Sequence, residues 1–177
     1  MFTEVNSMKI LRLFFRNPNK AFYVRELARL TKLSPPGVKK ILKRLESEGL
    51  IRRKKSKVTE DYFADRDSEE FIAFKRAYNL YSILQSGLIS ELNDKYNHPE
   101  CIVVFGSYSH AEDIEESDID IAVITENVLS LNLTKFERKL GRAINIHQIS
   151  NLGKSSAEFI NSLVNGIVVY GYLKVVE

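Results

Sequence analysis

The most constraining feature of the chain is the stretch 101–124, in which two apolar segments flank a polar one. The first apolar segment runs into Gly106-Ser107, and the second begins with Asp118-Ile119-Asp120. Because side chains alternate between the two faces of a strand, Asp118 and Asp120 are predicted to project on the same side. Carboxylates this close repel each other unless a cation lies between them. Ligation by oxygen alone suits Mg²⁺ or Mn²⁺, which also accompany nucleotide phosphates.

Gly106 and Ser107 add the chemistry that holds an anion. Glycine lets the backbone come close to a phosphate, and Ser107 offers its hydroxyl and amide at the start of the next helix, where anions are favoured. The apolar segments on both sides argue against an acidic surface loop, which is the usual explanation of an isolated Asp-x-Asp.

Gly106-Ser107, the ten-residue spacer Tyr108 to Ser117 and the Asp118–Asp120 pair resemble the signature of the polymerase-β-like nucleotidyltransferases, in particular their minimal members. The resemblance implies transfer of a nucleotidyl group from an NTP to a hydroxyl. It makes Asp118 and Asp120 the catalytic metal ligands, with Mg²⁺ or Mn²⁺ as cofactor, and lets Gly106 and Ser107 hold the triphosphate. Members of this superfamily usually carry a third Asp or Glu on a later strand.

The third carboxylate is missing from the equivalent segment, a predicted strand at 143–149. Alternation places Asn145 and His147 on the side of the site. Asn145 is a candidate metal ligand through its carbonyl oxygen, but it cannot accept a proton. Neutral His147 is a candidate catalytic base near pH 7, and the alternative for it is a paired or core-lining histidine.

This departure leaves catalysis open and gives three hypotheses. The first is a DNA-binding protein whose nucleotidyltransferase-like domain binds NTP with Mg²⁺ and transfers NMP to an unknown acceptor. The second is a transcription regulator in which a degenerate domain only senses nucleotide or dimerises. The third, from the resemblance to antitoxin-type minimal enzymes, is adenylylation of a partner protein.

Charge divides the chain into two parts. Residues 1–63 contain 16 lysines and arginines against 6 acidic residues, whereas residues 64–177 contain 10 against 17. A basic half suits a polyanion, and an acidic half suits bound cations. Two domains are therefore predicted.

The basic half predicts helices at 5–16, 23–30 and 34–48, followed by a hairpin at 50–55 and 58–63. Ser34 is a good N-cap and Pro35-Pro36 fit the first turn of the third helix. The segments 27–34 and 38–51 resemble the winged helix-turn-helix domains of small prokaryotic regulators. We expect double-stranded DNA to bind here, with protein docking or mere solubility as alternatives. The candidate DNA-binding residues are Lys39, Lys40, Lys43, Arg52, Arg53, Lys54, Lys55 and Lys57.

The predicted fold class is α+β, a winged helix-turn-helix followed by a small nucleotidyltransferase-type mixed sheet flanked by helices. The predicted domains are 1–65, a connecting helix at 66–97 and the nucleotidyltransferase-like domain at 98–177. The connecting helix has an apolar stripe that either packs on the sheet or pairs two copies into a homodimer. The stripe consists of Phe71, Phe74, Tyr78, Tyr81, Leu84, Leu88 and Leu92.

Composition narrows the class of protein further. The hydrophobic content of 44% supports a packed core. No apolar run approaches the roughly 20 residues that span a bilayer, and the first 15 residues do not resemble a secretory signal. Cys101 is the only cysteine, which fits a core position and a reducing compartment. We therefore expect a cytoplasmic protein with no membrane contact.

Overall fold

A computed structural model describes residues 5–56 and 59–175. The chain divides into two compact units, Met1–Lys75 and Arg76–Glu177. The boundary falls inside the range predicted as a connecting helix. The fold class is the predicted one, α+β, with a winged helix-turn-helix in the first unit and a mixed sheet flanked by helices in the second.

The described residues of the first unit form three helices, a three-stranded antiparallel sheet and the start of a fourth helix. Ser34 caps the third helix as predicted, because its hydroxyl accepts a hydrogen bond from the Gly37 amide at 3.3 Å. The preceding turn has Lys32 in the left-handed conformation (φ 58°). The elements are α1 (Asn6–Arg16), β1 (Phe22–Tyr23), α2 (Val24–Thr31), α3 (Pro35–Ser47), β2 (Ile51–Lys55) and β3 (Glu60–Ala64).

The core of the first unit is aliphatic and aromatic. Phe14 of α1 meets Phe22 edge-on at 5.0 Å between ring centroids, and Phe15 meets Phe71 at 5.3 Å. Strand β1, which the sequence did not predict, pairs with β3 and so brings Phe22 into this core. Its two residues are too few for a periodicity to be recognised.

The connecting segment is two helices rather than the predicted single one, so the prediction of one helix to about Tyr96 is wrong. Helix α4 (Glu69–Ser86) ends at Gly87, and α5 (Leu88–Lys95) follows. Gly87 has φ of 83°, a left-handed conformation that side-chain-bearing residues avoid. The chain therefore changes direction at this glycine.

The packing prediction for the apolar stripe is wrong for three of its residues. Phe74, Tyr81 and Leu84 are 54%, 43% and 51% exposed. Helix α4 buries another face, which includes polar Asn79 and Ser86. The stripe residues Leu88 and Leu92 are buried in the core of the sheet as expected, whereas Phe71 is buried against Phe15 of the first unit. The prediction failed because it followed the apolar residues of α4, whereas the buried face of this helix includes polar side chains.

The second unit is built on a four-stranded sheet in the order β6-β5-β4-β7. Only β5 and β6 are parallel, and the other two pairings are antiparallel. The two central strands are almost wholly buried, which explains their continuous apolar sequences. The remaining elements are β4 (Cys101–Phe105), α6 (Gly106–His110), β5 (Ile119–Ile124), α7 (Thr134–Leu140), β6 (Ile144–Ile149), a short 3₁₀ turn (Leu152–Lys154), α8 (Ala157–Val164) and β7 (Ile167–Gly171).

The two faces of this sheet have separate cores. Ile119, Ile121 and Val123 lie in one cluster with residues of α5 and α7. Ala122 and Ile124 lie in the other, against which Phe159 of α8 packs. Since Asp120 alternates with the first set, it lies on the α8 side of β5. Neither unit contains, in its described residues, a helix long and apolar enough to cross a bilayer.

Candidate functional site

Asp118 and Asp120 converge on one point, although Asp118 lies just before β5. The side-chain amide of Asn145 donates to Oδ2 of Asp118 and to Oδ1 of Asp120, each at 3.2 Å. Because β5 and β6 are parallel with Asp120 opposite Asn145, the register of the sheet creates this meeting point. The amide partly offsets the repulsion between the two carboxylates.

Gly106 closes the site from the neighbouring strand. Phe105 is paired with Asp120 across β4 and β5, and Gly106 follows with φ of 70°. A Cβ atom at this position would lie 3.0 Å from Oδ2 of Asp120. The backbone conformation therefore favours glycine, and a side chain here would displace the Asp120 carboxylate by a few tenths of an ångström. Ser107 is the next residue, in a helix of only five residues, so its contribution rests on its own amide and hydroxyl.

His147 also lies beside the carboxylates. Its Nε2 is 3.5 Å from Oδ1 of Asp120, and its ring packs edge-on against Phe105 at 5.1 Å. Phe159 of α8 lies 5.8 Å away on the same side. The histidine side chain is 41% exposed. The contacts match the paired alternative, and the exposure leaves the ring accessible to a ligand.

The donor set of the site fits one divalent ion. No group of three His, Cys, Asp or Glu side chains in 5–56 and 59–175 is placed to hold a metal. Two carboxylates remain, together with the Asn145 amide, whose oxygen and nitrogen exchange places by rotation about the last torsion. Mg²⁺ is commonly held by one or two carboxylates and the phosphates of its substrate, with water completing the shell.

Comparison with protein families agrees with this geometry. Residues 88–172 match the family model described as polymerase beta, nucleotidyltransferase. These residues form a nucleotidyltransferase domain. The match spans both carboxylates, the Gly106-Ser107 turn and all four strands of the sheet.

The nucleotidyltransferase domain departs from the superfamily pattern at Asn145. The observed register puts Asn145 directly opposite Asp120, where the resemblance led us to expect the third carboxylate. Asn145 and His147 both contact the carboxylate pair, as alternation predicted. The site thus brings together two carboxylates and one amide, and no third acidic side chain among the described residues joins them.

Residues 5–52 match a second family model, winged helix-turn-helix DNA-binding. A search of curated proteins found no match. Among solved structures, the chain is similar to one described as "Structure of TrmBL2, an archaeal chromatin protein, shows a novel mode of DNA binding". That similarity has 17% identity and a TM-score of 0.32, and it covers 89% of this chain and 68% of that chain.

The basic surface of the winged helix-turn-helix is partly neutralised by its own acidic residues. Arg52 lies 3.2 Å from Asp65 and 3.3 Å from Asp67. Arg53 lies 3.2 Å from Glu46 and 3.1 Å from Glu60, an acid that also lies 3.8 Å from Lys39. The hydrogen bond from Arg53 is the main cause that lowers the pKa of Glu60. These three basic side chains are therefore less available to phosphates than the sequence suggested.

Four other candidate DNA-binding residues keep their charge unpaired. Lys40 and Lys43 are exposed on α3, and Lys54 and Lys55 are exposed on β2. None of them makes an ion pair with another described residue. Lys57 lies outside the described residues. Among these candidates, the accessible positive charge thus lies on one face of α3 and at the end of β2, in the hairpin of β2 and β3 that forms the wing.

Sequence reasoning missed one buried group that contacts the segment before Asp118. Arg142 lies between α7 and β6, two residues before the strand begins, and its guanidinium is 2.7 Å from the carboxylate of Asp113. Both side chains are almost fully buried, 5% and 1% exposed. Arg142 also donates to three backbone carbonyls of the 114–117 segment. The sequence offers no signal for such a contact, because the acceptors are main-chain atoms.

Proposed function

We propose that the protein is a DNA-binding regulator whose nucleotidyltransferase domain binds a nucleoside triphosphate with one divalent ion. The observation that carries this proposal is the convergence of Asp118 and Asp120 on the Asn145 amide, directly beside the left-handed turn at Gly106. The family match of residues 88–172 gives the same chemistry an independent basis.

The site divides the ligand between two sets of side chains. Asp118 and Asp120 would hold Mg²⁺ or Mn²⁺, and the ion would offset the negative charge of the triphosphate. The exposed backbone at Gly106 and the Ser107 hydroxyl would contact phosphate oxygens. His147 and Phe159 lie on the α8 side of the carboxylates and would contact the remainder of the nucleotide or an acceptor.

Binding is favoured over rapid transfer by the residue opposite Asp120. Two-metal catalysis needs ligands for both ions, and Asn145 supplies a neutral amide where an acid would serve the second. An amide also takes no proton from an acceptor hydroxyl. NMP transfer, to a partner protein or to nucleic acid, is therefore the second candidate. The accessible His147 ring is what favours it.

Isothermal titration of Mg²⁺-ATP tests the nucleotide site. We expect saturable binding by the native chain, weakened by about 10-fold or more in the variant Asp118→Asn with Asp120→Asn. Asp94→Asn, a change at the end of α5, is the control with the same chemistry away from the site. Absence of binding, or equal binding by all three proteins, rejects the proposal. Incubation with α-labelled NTPs then distinguishes a sensor from an enzyme.

DNA binding is proposed from the family match of residues 5–52 and the unpaired lysines on α3 and β2. A basic surface of this kind binds phosphates with strong salt dependence. Gel-shift titrations of a duplex at low and moderate salt check this. A chain that fails to shift duplex DNA even at low salt lacks the function.

A homodimer is proposed from the exposed side of α4. Phe74, Tyr81 and Leu84 form an apolar stripe that is about half exposed, and helix-turn-helix proteins commonly bind two half-sites as dimers. Sedimentation velocity should show a dimer that Leu84→Glu dissociates. A native chain that stays monomeric at all concentrations contradicts this part of the proposal.

A further inference from the structure

A buried polar cluster connects the two halves of the candidate site within the second unit. Its members are Arg142, Asp113 and Asn79, which come from the turn before β6, from the segment after α6 and from α4. The hydrogen bonds of these three side chains reach the backbone on either side of the site. They make more hydrogen bonds than the single ion pair between Arg142 and Asp113 would need.

Arg142 holds the segment that leads to Asp118. One guanidinium nitrogen, Nη1, donates to the carbonyl oxygens of Ile114, Glu115 and Ser117, while Nη2 donates to Asp113 at 2.7 Å. The planar guanidinium presents several donors in a fixed geometry, so it fixes these acceptors relative to each other. Ser117, the last of them, is covalently adjacent to Asp118.

The same cluster holds the segment that follows the turn at Gly106 and Ser107. Oδ1 of Asp113 accepts a hydrogen bond from Nδ2 of Asn79 at 2.8 Å. Nδ2 of Asn79 also donates to the carbonyl oxygen of Tyr108 at 2.9 Å, and Tyr108 directly follows Ser107. Between these segments Ala111 has φ of 64°, so the backbone reverses there. One carboxylate thus links the turn at Gly106 to the segment before Asp118.

We infer that Arg142 is a positioning residue for the metal ligands, and this inference rests on the proposed nucleotide function. Asp118 lies outside β5, so the strand register that fixes Asp120 does not fix Asp118. The hydrogen bonds of Arg142 constrain the backbone that precedes Asp118, while the Asn145 amide contacts its side chain. Partners that orient metal ligands are typically worth about 10- to 100-fold in metal affinity.

The test is the affinity for Mn²⁺ alone, measured by electron paramagnetic resonance well below the melting temperature. Arg142→Gln should weaken Mn²⁺ binding about 10- to 100-fold. Arg142→Lys should weaken it less, since lysine keeps the positive charge and loses only some of the hydrogen-bond donors of the guanidinium. Arg138→Gln, an exposed change on α7, is the control and should leave the affinity unchanged.

The outcomes separate this inference from the proposed function. If the native chain binds no Mn²⁺ and no Mg²⁺-ATP, both the proposed function and the inference about Arg142 are rejected. If it binds Mn²⁺ and the Arg142 variants bind equally well while melting at lower temperature, Arg142 is only a structural residue and the inference falls alone. Should Arg142→Gln fail to fold, circular dichroism shows it and Arg142→Lys decides.

Discussion

At the scale of single residues, the carboxylate pair depends on a neutral neighbour. Asn145 donates to both Asp118 and Asp120 and adds no charge. The pair is therefore stabilised without a bound cation, and its ligand oxygens are already close together. An aspartate at the same position would have the same size with the opposite electrostatic effect.

Replacing Asn145 with aspartate should make stability depend on Mg²⁺. A third carboxylate within 4 Å of two others should lower the free energy of unfolding by about 1 kcal/mol or more in EDTA. Saturating Mg²⁺ should reverse this loss, as measured by thermal denaturation with and without the ion. The double variant Asn145→Asp with Asp120→Asn restores the charge count and should be less sensitive. Equal melting temperatures of Asn145→Asp in EDTA and Mg²⁺ would contradict the prediction.

Cys101 gives the molecule a pH dependence of its own. Burial raises the pKa of its thiol to about 11, from an ordinary value of 9.0. The folded chain retains a proton that the unfolded chain releases, so this contribution is complete below pH 9 and is lost as the pH rises toward 11. Between pH 8 and 10 the loss should be about 1 kcal/mol. Urea denaturation of the native chain and of Cys101→Ala should differ in pH dependence by this amount; parallel curves would exclude it.

At the scale of elements, the wing separates stabilising charges from accessible ones. Arg53 is engaged with Glu46 and Glu60, whereas Lys54 and Lys55 have no acidic partner among the described residues. Residues of one strand thus differ in role because described acidic side chains form ion pairs with Arg52 and Arg53, at the start of β2, and not with the lysines that follow.

The two sets of residues should respond differently to alanine. Lys54→Ala with Lys55→Ala should weaken duplex binding and reduce the slope of log affinity against log salt by about 2, roughly 0.9 for each phosphate contact. Arg53→Ala should lower the melting temperature and change the slope less. Salt titrations of DNA affinity and thermal denaturation measure both effects. A larger change of slope for Arg53→Ala than for the lysine pair would reverse the assignment.

The elements also mark how far the sequence led. The Gly106-Ser107 turn, the Asp118–Asp120 pair and the cap at Ser34 have strong local signals, and the structure contains all three features. The break at Gly87 had a signal, a glycine within a helical pattern, but the apolar stripe concealed it. The sheet order and the hydrogen bonds of Arg142 join residues far apart in the chain, so no local pattern encodes them.

At the scale of the whole molecule, one helix belongs to both units. The boundary between Lys75 and Arg76 lies inside α4. Phe71 of this helix packs on Phe15 in the first unit, and Asn79 donates to Asp113 in the second. The proposed regulation requires the two ligands to influence each other, and the continuous backbone of α4 joins the two units.

If nucleotide regulates DNA binding, the effect must be reciprocal. Saturating Mg²⁺-ATP should change the dissociation constant for a duplex by about 5-fold or more, and saturating duplex should change that for Mg²⁺-ATP by the same factor. Fluorescence anisotropy and titration calorimetry measure the two sides independently. The variant Asp118→Asn with Asp120→Asn should abolish the nucleotide effect and leave basal DNA affinity unaltered. Two ligands that bind with no mutual influence would exclude regulation of DNA binding by nucleotide.

Strand β4 hydrogen-bonds on one side to β7, which follows the other described strands in chain order. During synthesis the winged helix-turn-helix leaves the ribosome and folds well before β7 does, since domains fold from the amino terminus onward. A growing polypeptide would thus carry a folded, basic winged helix-turn-helix while the sheet of the second unit still lacks its edge strand β7. Any DNA binding by the winged helix-turn-helix would therefore precede completion of the sheet that carries Asp120.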